Sequence, residues 1–284
     1  MTKKTWIVTG GVLLLLIGGT IIGRQLAGNG ANEKVTTLKV AHTQNYAPYD
    51  YVNDKGENTG YEVDVLKAID KKLPDYKFKY TGTSDEDLLI GLESGKYDIG
   101  TKGAWYTKER AKKFIIPKDA LGASVIGLTI RKDEEKTITG INSFAKSGGK
   151  LVPISPQNAQ WNVIEAYNKK HKDTPIDLKS AESFTVADAY AWVLEGRYDA
   201  YFDIKLSFKQ AVKDKDGAYH KYADKLTWIP YKGIETYPLI HRNKANQKFV
   251  KAYNKAVKEL KKDGTLDKLS KKYFGEDVFN YVTK

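Results

Sequence analysis

The stretch YDIGTKGAWYTKERAKKF, residues 97–114, is the place from which the rest of this chain can be read. YDIGTKG has the pattern of a short strand entering a glycine turn, and KERAKK continues as a basic helical segment. Arg110 therefore stands on a turn just after a strand, where a packed fold rarely places a lone charge. A second stretch, GRYDAYFDIKLSF at 196–208, offers the opposite sign: the strand-like run YDAYF ends in Asp203. An arginine fork meets a carboxylate through two parallel charge-assisted hydrogen bonds, and an aspartate accepts from an ammonium. Facing each other across a cleft, the two would grip a zwitterion. An α-amino acid is the leading ligand.

Outward from these stretches the chain alternates strands and helices. LKVAHT (38–43) reads as a strand, Val65, Leu66, Ile69 and Leu73 form one helical face, and YKFKYT (76–81) alternates at period two. A helix at 84–94, with Ser84 as its cap, turns Leu88, Leu89 and Leu92 inward. Such short strand–helix–strand connections imply a parallel sheet covered by helices. ASVIGLTIRK (123–132) has the long apolar character of a strand leaving one lobe for another. A second lobe is expected from strands KLVPIS (150–155), IDLKSA (176–181) and YDAYFD (198–203) with helices around 160–170, 185–195 and 204–212. TYPLIHR (236–242) brings the chain back, and Phe249, Tyr253, Val257 and Leu260 form a stripe that should pack on the first lobe. The predicted architecture is α/β: two Rossmann-like lobes joined by a two-strand hinge with a ligand cleft between them. Its expected parts are an N-terminal membrane segment (1–24), a linker (25–36), a first lobe (37–129), a second lobe (130–235) and a return to the first (236–284).

Composition narrows the function. With 41% hydrophobic and 29% charged residues among 284, this is an ordinary globular composition, and length favours two domains. There is no cysteine, which removes disulfides, thiolate metal sites, cysteine nucleophiles and a lipidated N-terminal cysteine. The four histidines (His42, His171, His220, His241) have no ligand spacing, so neither metal nor cofactor is implied. A net charge of +12 invites a nucleic-acid reading, but the lysines are scattered and stand beside acids, as in KDKDG. Nucleic-acid binding would cluster them on one face.

Residues 5–23 carry no charge and follow Lys3 and Lys4. As a helix they would span roughly 28 Å, about one hydrocarbon core, with the N-terminus inside. A cleaved signal peptide is the rival, with a shorter apolar core and a small-x-small site; Gly28-Asn29-Gly30 is a poor one. An uncleaved anchor is favoured, and either route delivers the rest outside the cytoplasmic membrane.

Four segments in order resemble the extracellular solute-binding proteins of amino-acid ABC transporters, over nearly the whole chain from Leu38 to Phe279. They are YAPYDYVNDKGENTGYEVDVLKAI (46–69), ESGKYDIGTKGAWYTKERAKKF (93–114), GRYDAYFD (196–203) and KKYFGED (271–277). The resemblance implies a binding protein, not an enzyme, that hands a polar amino acid to a membrane permease with its ATPase. By the same resemblance Arg110 holds the ligand carboxylate, the Trp105 N–H supports it and the Gly103 carbonyl accepts from the amino group. Asp203 pairs with that amino group, Tyr46 stacks over the ligand, Asn158 offers a backbone amide from the second lobe, and Asp85 lies in a loop lining the side-chain end.

Two departures from the family pattern bear on the pocket. Trp105 stands where Ser or Thr is usual, and PISPQNAQ (153–160) replaces a Gly-Thr/Ser-rich turn, with Pro156 removing one donor. That loop is similar to those of some cystine-type and other polar-amino-acid binders. Plainer roles compete: Asp203 as a helix cap, Trp105 and Tyr49 as packing residues, Arg110 as a surface charge, Asp64 as a structural acid. An extracellular sensor or a dehydratase-type enzyme on the same fold are the alternative functions.

Overall fold

The computed structural model describes residues 35–156, 158–181 and 184–282. The expected membrane segment and most of the expected linker lie outside them; among the described residues no helix is long and apolar enough to cross a membrane.

The first lobe opens with β1 (Thr36–Thr43), followed by an antiparallel ribbon of β2 (Asn45–Tyr46), β3 (Asp50–Val52) and β4 (Asn58–Thr59). Then come α1 (Tyr61–Lys72), β5 (Tyr76–Thr83), α2 (Asp85–Glu93), β6 (Ile99–Thr101) and α3 (Lys108–Lys113). β1 runs parallel to β5 from Thr36↔Tyr76 to Thr43↔Thr83, and parallel to β6 through Val40↔Ile99. The two crossovers carry α1 and α2, as the helical spacing required. Ser84 caps α2 by accepting from the Asp87 N–H.

β7 (Gly122–Arg131) leaves this lobe. The second lobe adds α4 (Ile141–Lys146), α5 (Ala159–Lys170), α6 (Val186–Leu194), β8 (Ala200–Ile204) and the short α7 (Lys205–Phe208). β9 (Leu226–Thr236) returns, and β10 (Leu239–Ile240), α8 (Lys244–Lys262) and α9 (Thr265–Phe274) finish the first lobe. β10 lies antiparallel to β6, giving the sheet order β10-β6-β1-β5. The α8 stripe of Phe249, Tyr253, Val257 and Leu260 is buried with Val65, Leu66, Ile69 and Ile99 in one core. β7 and β9 pair antiparallel from Gly122↔Thr236 to Arg131↔Leu226, with an irregularity at Ile126/Gly127. This ribbon joins the two lobes.

The second lobe differs from expectation in its sheet. Among the described residues its strands are β8, β7 and β9, paired antiparallel. Of the expected strand KLVPIS, one bridge remains, Leu151↔Ala200. IDLKSA forms no strand and, among the described residues, meets it through one backbone bond, from the Ile154 N–H to the Lys179 carbonyl. Pro153 and Pro156 explain this, because neither has an N–H to continue a ladder. The expected helix at 204–212 is also split, into α7 and a π-helical turn at Lys209–Lys213.

Candidate functional site

The site is assembled from the ends of strands. Beyond β1 the chain turns through Gln44 and Asn45 to Tyr46, whose ring stacks on Tyr49 at 5.1 Å and 13°. Tyr49 is buried and donates from its hydroxyl to Ser124 Oγ on β7 at 3.1 Å. α1 clamps this loop from below. Its first amides donate to the carbonyls of Pro48 and Tyr49, from Tyr61 and Glu62 respectively. Both tyrosine hydroxyls are pushed above their usual range, chiefly by burial.

β6 ends in the turn Lys102–Gly103. Gly103 has φ +61°, and a Cβ there would stand 2.9 Å from Tyr46 Cε1. Only glycine suits both the backbone and the ring. The Gly103 N–H donates to Glu62 Oε2 at 2.9 Å, which leaves its carbonyl outside that bond. Next, the Tyr237 N–H donates to the Ala104 carbonyl and fixes Trp105 opposite Thr236 at the end of β9. Trp105 is buried and joins the apolar cluster of the second lobe.

Arg110 lies in α3, whose N-cap Thr107 accepts from the Arg110 N–H at 3.1 Å. One guanidinium nitrogen, Nη1, donates to the Trp105 carbonyl at 2.7 Å; the side chain makes no other hydrogen bond among the described residues. Burial pulls its pKa below the ordinary arginine value, and the nearby Asp85 carboxylate opposes that pull. A half-buried fork with unused donors has the chemistry of an anion receptor.

From the second lobe, the start of α5 presents Asn158, Ala159 and Gln160, and β8 presents Ile204. Together with Tyr46, Gly103, Trp105, Arg110 and Ser124 they line a cavity of about 260 Å³. Asp203 stands directly behind this wall, 6% exposed. Its Oδ1 accepts from the Ile204 N–H at 2.7 Å and from Gln160 Nε2 at 3.3 Å, and its Oδ2 accepts from the Tyr201 hydroxyl at 2.9 Å. Desolvation raises its pKa against these bonds. Asp203 does not cap the next helix, whose N-cap is Ile204.

Of the residues singled out from sequence, Tyr46, Gly103, Trp105, Arg110 and Asn158 thus meet at one cavity, and Asp203 adjoins it through Gln160 and Ile204. Asp85 does not line it. Asp85 pairs with Lys102 in a neighbouring cavity that also has Tyr46 in its wall. Asn158 needs a correction. Its N–H, expected to be offered outward, donates to the Ser155 carbonyl at 2.9 Å, because Pro156 folds the loop into a tight turn. The free donors belong to the following first-turn positions, Ala159 and Gln160, as at any helix start.

Sequence reasoning missed an acidic pair under the floor. Asp50 and Glu62 are fully buried and adjoin each other. Asp50 Oδ1 accepts from the Thr101 hydroxyl at 2.9 Å, while Glu62 holds the Gly103 amide. Burial raises both pKa values, that of Asp50 well above its ordinary value. Two touching carboxyls buried this deeply resist double ionisation, so the pair favours sharing one proton, and the backbone N–H donated to Glu62 favours leaving the charge there. The acid was visible in GYEVDV; nothing in the spacing showed that it was buried. Asp64, by contrast, is tied to Lys272 and Tyr273 on α9, a structural role.

Comparison with known proteins agrees with this geometry. Residues 38–276 match the model of the bacterial extracellular solute-binding proteins, family 3. The L-cystine-binding protein TcyJ of Bacillus subtilis is 30% identical over 277 residues, covering 98% of this chain and 97% of that protein. Among solved structures, the probable amino-acid ABC transporter extracellular-binding protein YtmK of Bacillus subtilis has 27% identity and TM-score 0.66, covering 85% of this chain and 99% of the other. A structure from work on glutathione import by GshT and the cystine ABC importer TcyBC of Streptococcus mutans has 28% identity and TM-score 0.60, covering 88% and 98%. The match over residues 38–276, together with these relatives, makes this two-lobed chain a substrate-binding protein and not an enzyme: it is a member of the bacterial extracellular solute-binding proteins, family 3.

Proposed function

We propose that this protein captures a polar α-amino acid of the cystine class outside the cytoplasmic membrane and presents it to an ABC importer. The observation that carries the reading is the cavity walled by both lobes, with the unused fork of Arg110 on one side and the start of α5, backed by Asp203, on the other. In this reading the carboxylate docks first on Arg110 and the Trp105 N–H, under the Tyr46 ring. Closure then brings the amides of Ala159 and Gln160 and the carboxylate of Asp203 to the ligand. The bound ligand favours the closed form because those contacts exist only there. The names of the relatives, which print L-cystine and an ABC importer, support the ligand class and the importer partner; that partner is read here as a permease with its ATPase. In this reading the chain passes between lobes twice, along β7 and along β9, with the lobes divided at 129/130 and 235/236, and an N-terminal anchor would keep the trap at the membrane.

Calorimetry with L-cystine and the standard amino acids tests this. The expected result is binding by the wild type and none by Arg110→Ala, with the variant unfolding at the same temperature as the unliganded wild type. Equal affinity in the two proteins would remove Arg110 from the site.

A further inference from the structure

A cavity of about 290 Å³ lies between the lobes and shares no lining residue with the one that Arg110 lines. Tyr49 and Phe274 of the first lobe, Leu206 and Phe208 of the second, and Val125 and Trp228 of the hinge ribbon give it apolar walls. Three lysines, Lys205, Lys209 and Lys213, and one acid, Glu276, line it as well. We infer that this cavity binds a small molecule with a ring-sized apolar body and one carboxylate, and that this molecule and the amino acid strengthen each other's binding. The coupling rests on reading the Arg110 cavity as the amino-acid site; the second cavity does not.

The charges around the cavity call for an anion. Glu276 is already engaged: Lys205 donates to its Oε1, and the Tyr281 hydroxyl donates to its Oε2 at 2.9 Å. Lys209 pairs with Asp214. Lys213 meets no carboxylate among the described residues. Its ammonium donates to the Ala223 carbonyl at 3.2 Å and lies 5.4 Å from the centre of the Phe208 ring. Two of its three donors are thus unused beside an apolar wall. An apolar body against the aromatic rings, with its carboxylate on Lys213, suits both features; a cation would meet three lysines. The plain alternative is an idle void. Apolar surface left facing water between the lobes works against closure, and an apolar occupant removes that penalty.

Walls from both lobes make the cavity complete only while the lobes are together. Its occupant therefore favours the closed form, as the amino acid does. The two linings are also in contact. Tyr49, in the wall of this cavity, stacks on Tyr46 of the Arg110 cavity at 5.1 Å. Its hydroxyl donates at 3.1 Å to Ser124 Oγ, which belongs to the Arg110 cavity too. Linkage makes the effect reciprocal, each ligand raising the affinity for the other by the same factor.

Calorimetry with phenylbutyrate and its uncharged amide, on the wild type, Lys213→Met and Thr227→Tyr, tests this. Lys213 is exposed, so its replacement leaves the fold intact, and Thr227 lines the cavity, so a larger ring there occupies it. The wild type is expected to bind the carboxylate about fivefold more tightly than the amide, the size of one solvent-facing ion pair. Lys213→Met should bind the two alike, and Thr227→Tyr should bind neither while keeping L-cystine. Saturating L-cystine should tighten phenylbutyrate binding several-fold, and saturating phenylbutyrate should tighten L-cystine binding equally. Phenylbutyrate that binds neither alone nor beside L-cystine overturns the site. So does a carboxylate preference retained in Lys213→Met, probe binding retained in Thr227→Tyr, or an affinity that bound L-cystine leaves unchanged. If L-cystine itself does not bind, the amino-acid reading fails instead, and the carboxylate preference and its loss in Lys213→Met still decide the second site.

Discussion

Gln210 Nε2 donates to the Ala47 carbonyl at 2.9 Å, joining the π-helical turn of the second lobe to the tyrosine loop of the first. Neither residue lines the Arg110 cavity. The bond can form only while the lobes are together, so it adds to closure without touching ligand. A hydrogen bond of this kind is worth about 1 kcal/mol, roughly fivefold in a two-state population. Gln210→Ala should weaken ligand binding by about that factor, mostly through faster dissociation, as stopped-flow fluorescence will show. An unchanged dissociation rate would mean that the bond does not hold the closed form.

Arg110→Lys separates charge from shape. The lysine keeps one positive charge but loses the planar fork that meets a carboxylate at two points. Because Arg110 makes one side-chain bond among the described residues, to the Trp105 carbonyl, the fold should be little affected. The expected outcome is an affinity at least about tenfold lower, equivalent to about 1.4 kcal/mol, with the unliganded melting temperature kept. Wild-type affinity in this variant would show that a point charge suffices.

Gly103→Ala places a Cβ 2.9 Å from the Tyr46 ring on a backbone at φ +61°. The left-handed conformation alone costs about 1–2 kcal/mol in a residue with a side chain. Denaturant unfolding should show a loss of that size, and ligand affinity should fall further because Tyr46 must leave its stack on Tyr49. Loss of stability with affinity retained would remove Tyr46 from the ligand contacts.

The buried pair Asp50–Glu62 gives the pH dependence a definite sign. The folded protein holds a proton on Asp50 that the unfolded chain releases near the ordinary aspartate value. Between the two pKa values the folded state binds more protons, so stability is full below the unfolded value and falls as pH rises toward the raised one. Asp50→Asn keeps an acceptor for Thr101 and offers N–H groups toward Glu62 with no proton to lose. Its melting temperature should decline less than that of the wild type as pH is raised above about 4. Asp203, also raised, leaves a residual slope in both proteins, and the lowered Asp64 acts in the opposite direction in both; the difference between the two curves isolates the Asp50–Glu62 pair, whose second member is also raised. Parallel curves would refute the shared proton.

How much was readable in advance divides along physical lines. The faces of α1 and α8 announced themselves by spacing, since amphipathic period is a local property. Arg110 and Asp203 stood out because each is a charge beside a strand end. The second-lobe strands were over-assigned, since apolar runs such as KLVPIS look extended whether or not prolines let them pair. Gln160 was passed over as one polar residue at a helix start, and becomes notable only when Asp203 is found behind it. The Asp50–Glu62 pair was hidden for the same reason: burial of an acid is decided by α1, β3 and β6 together, and no window of sequence contains all three.

Trp105 has a consequence for how the ligand site and the hinge are tied. Its carbonyl holds Arg110, its backbone lies against Thr236 at the foot of β9, and its ring is embedded among the side chains of the opposite lobe. The guanidinium is thus aimed through a residue anchored twice over, to the hinge ribbon by its backbone and to the second lobe by its ring. A change at that one tryptophan would reach the carboxylate receptor and the contact between lobes together.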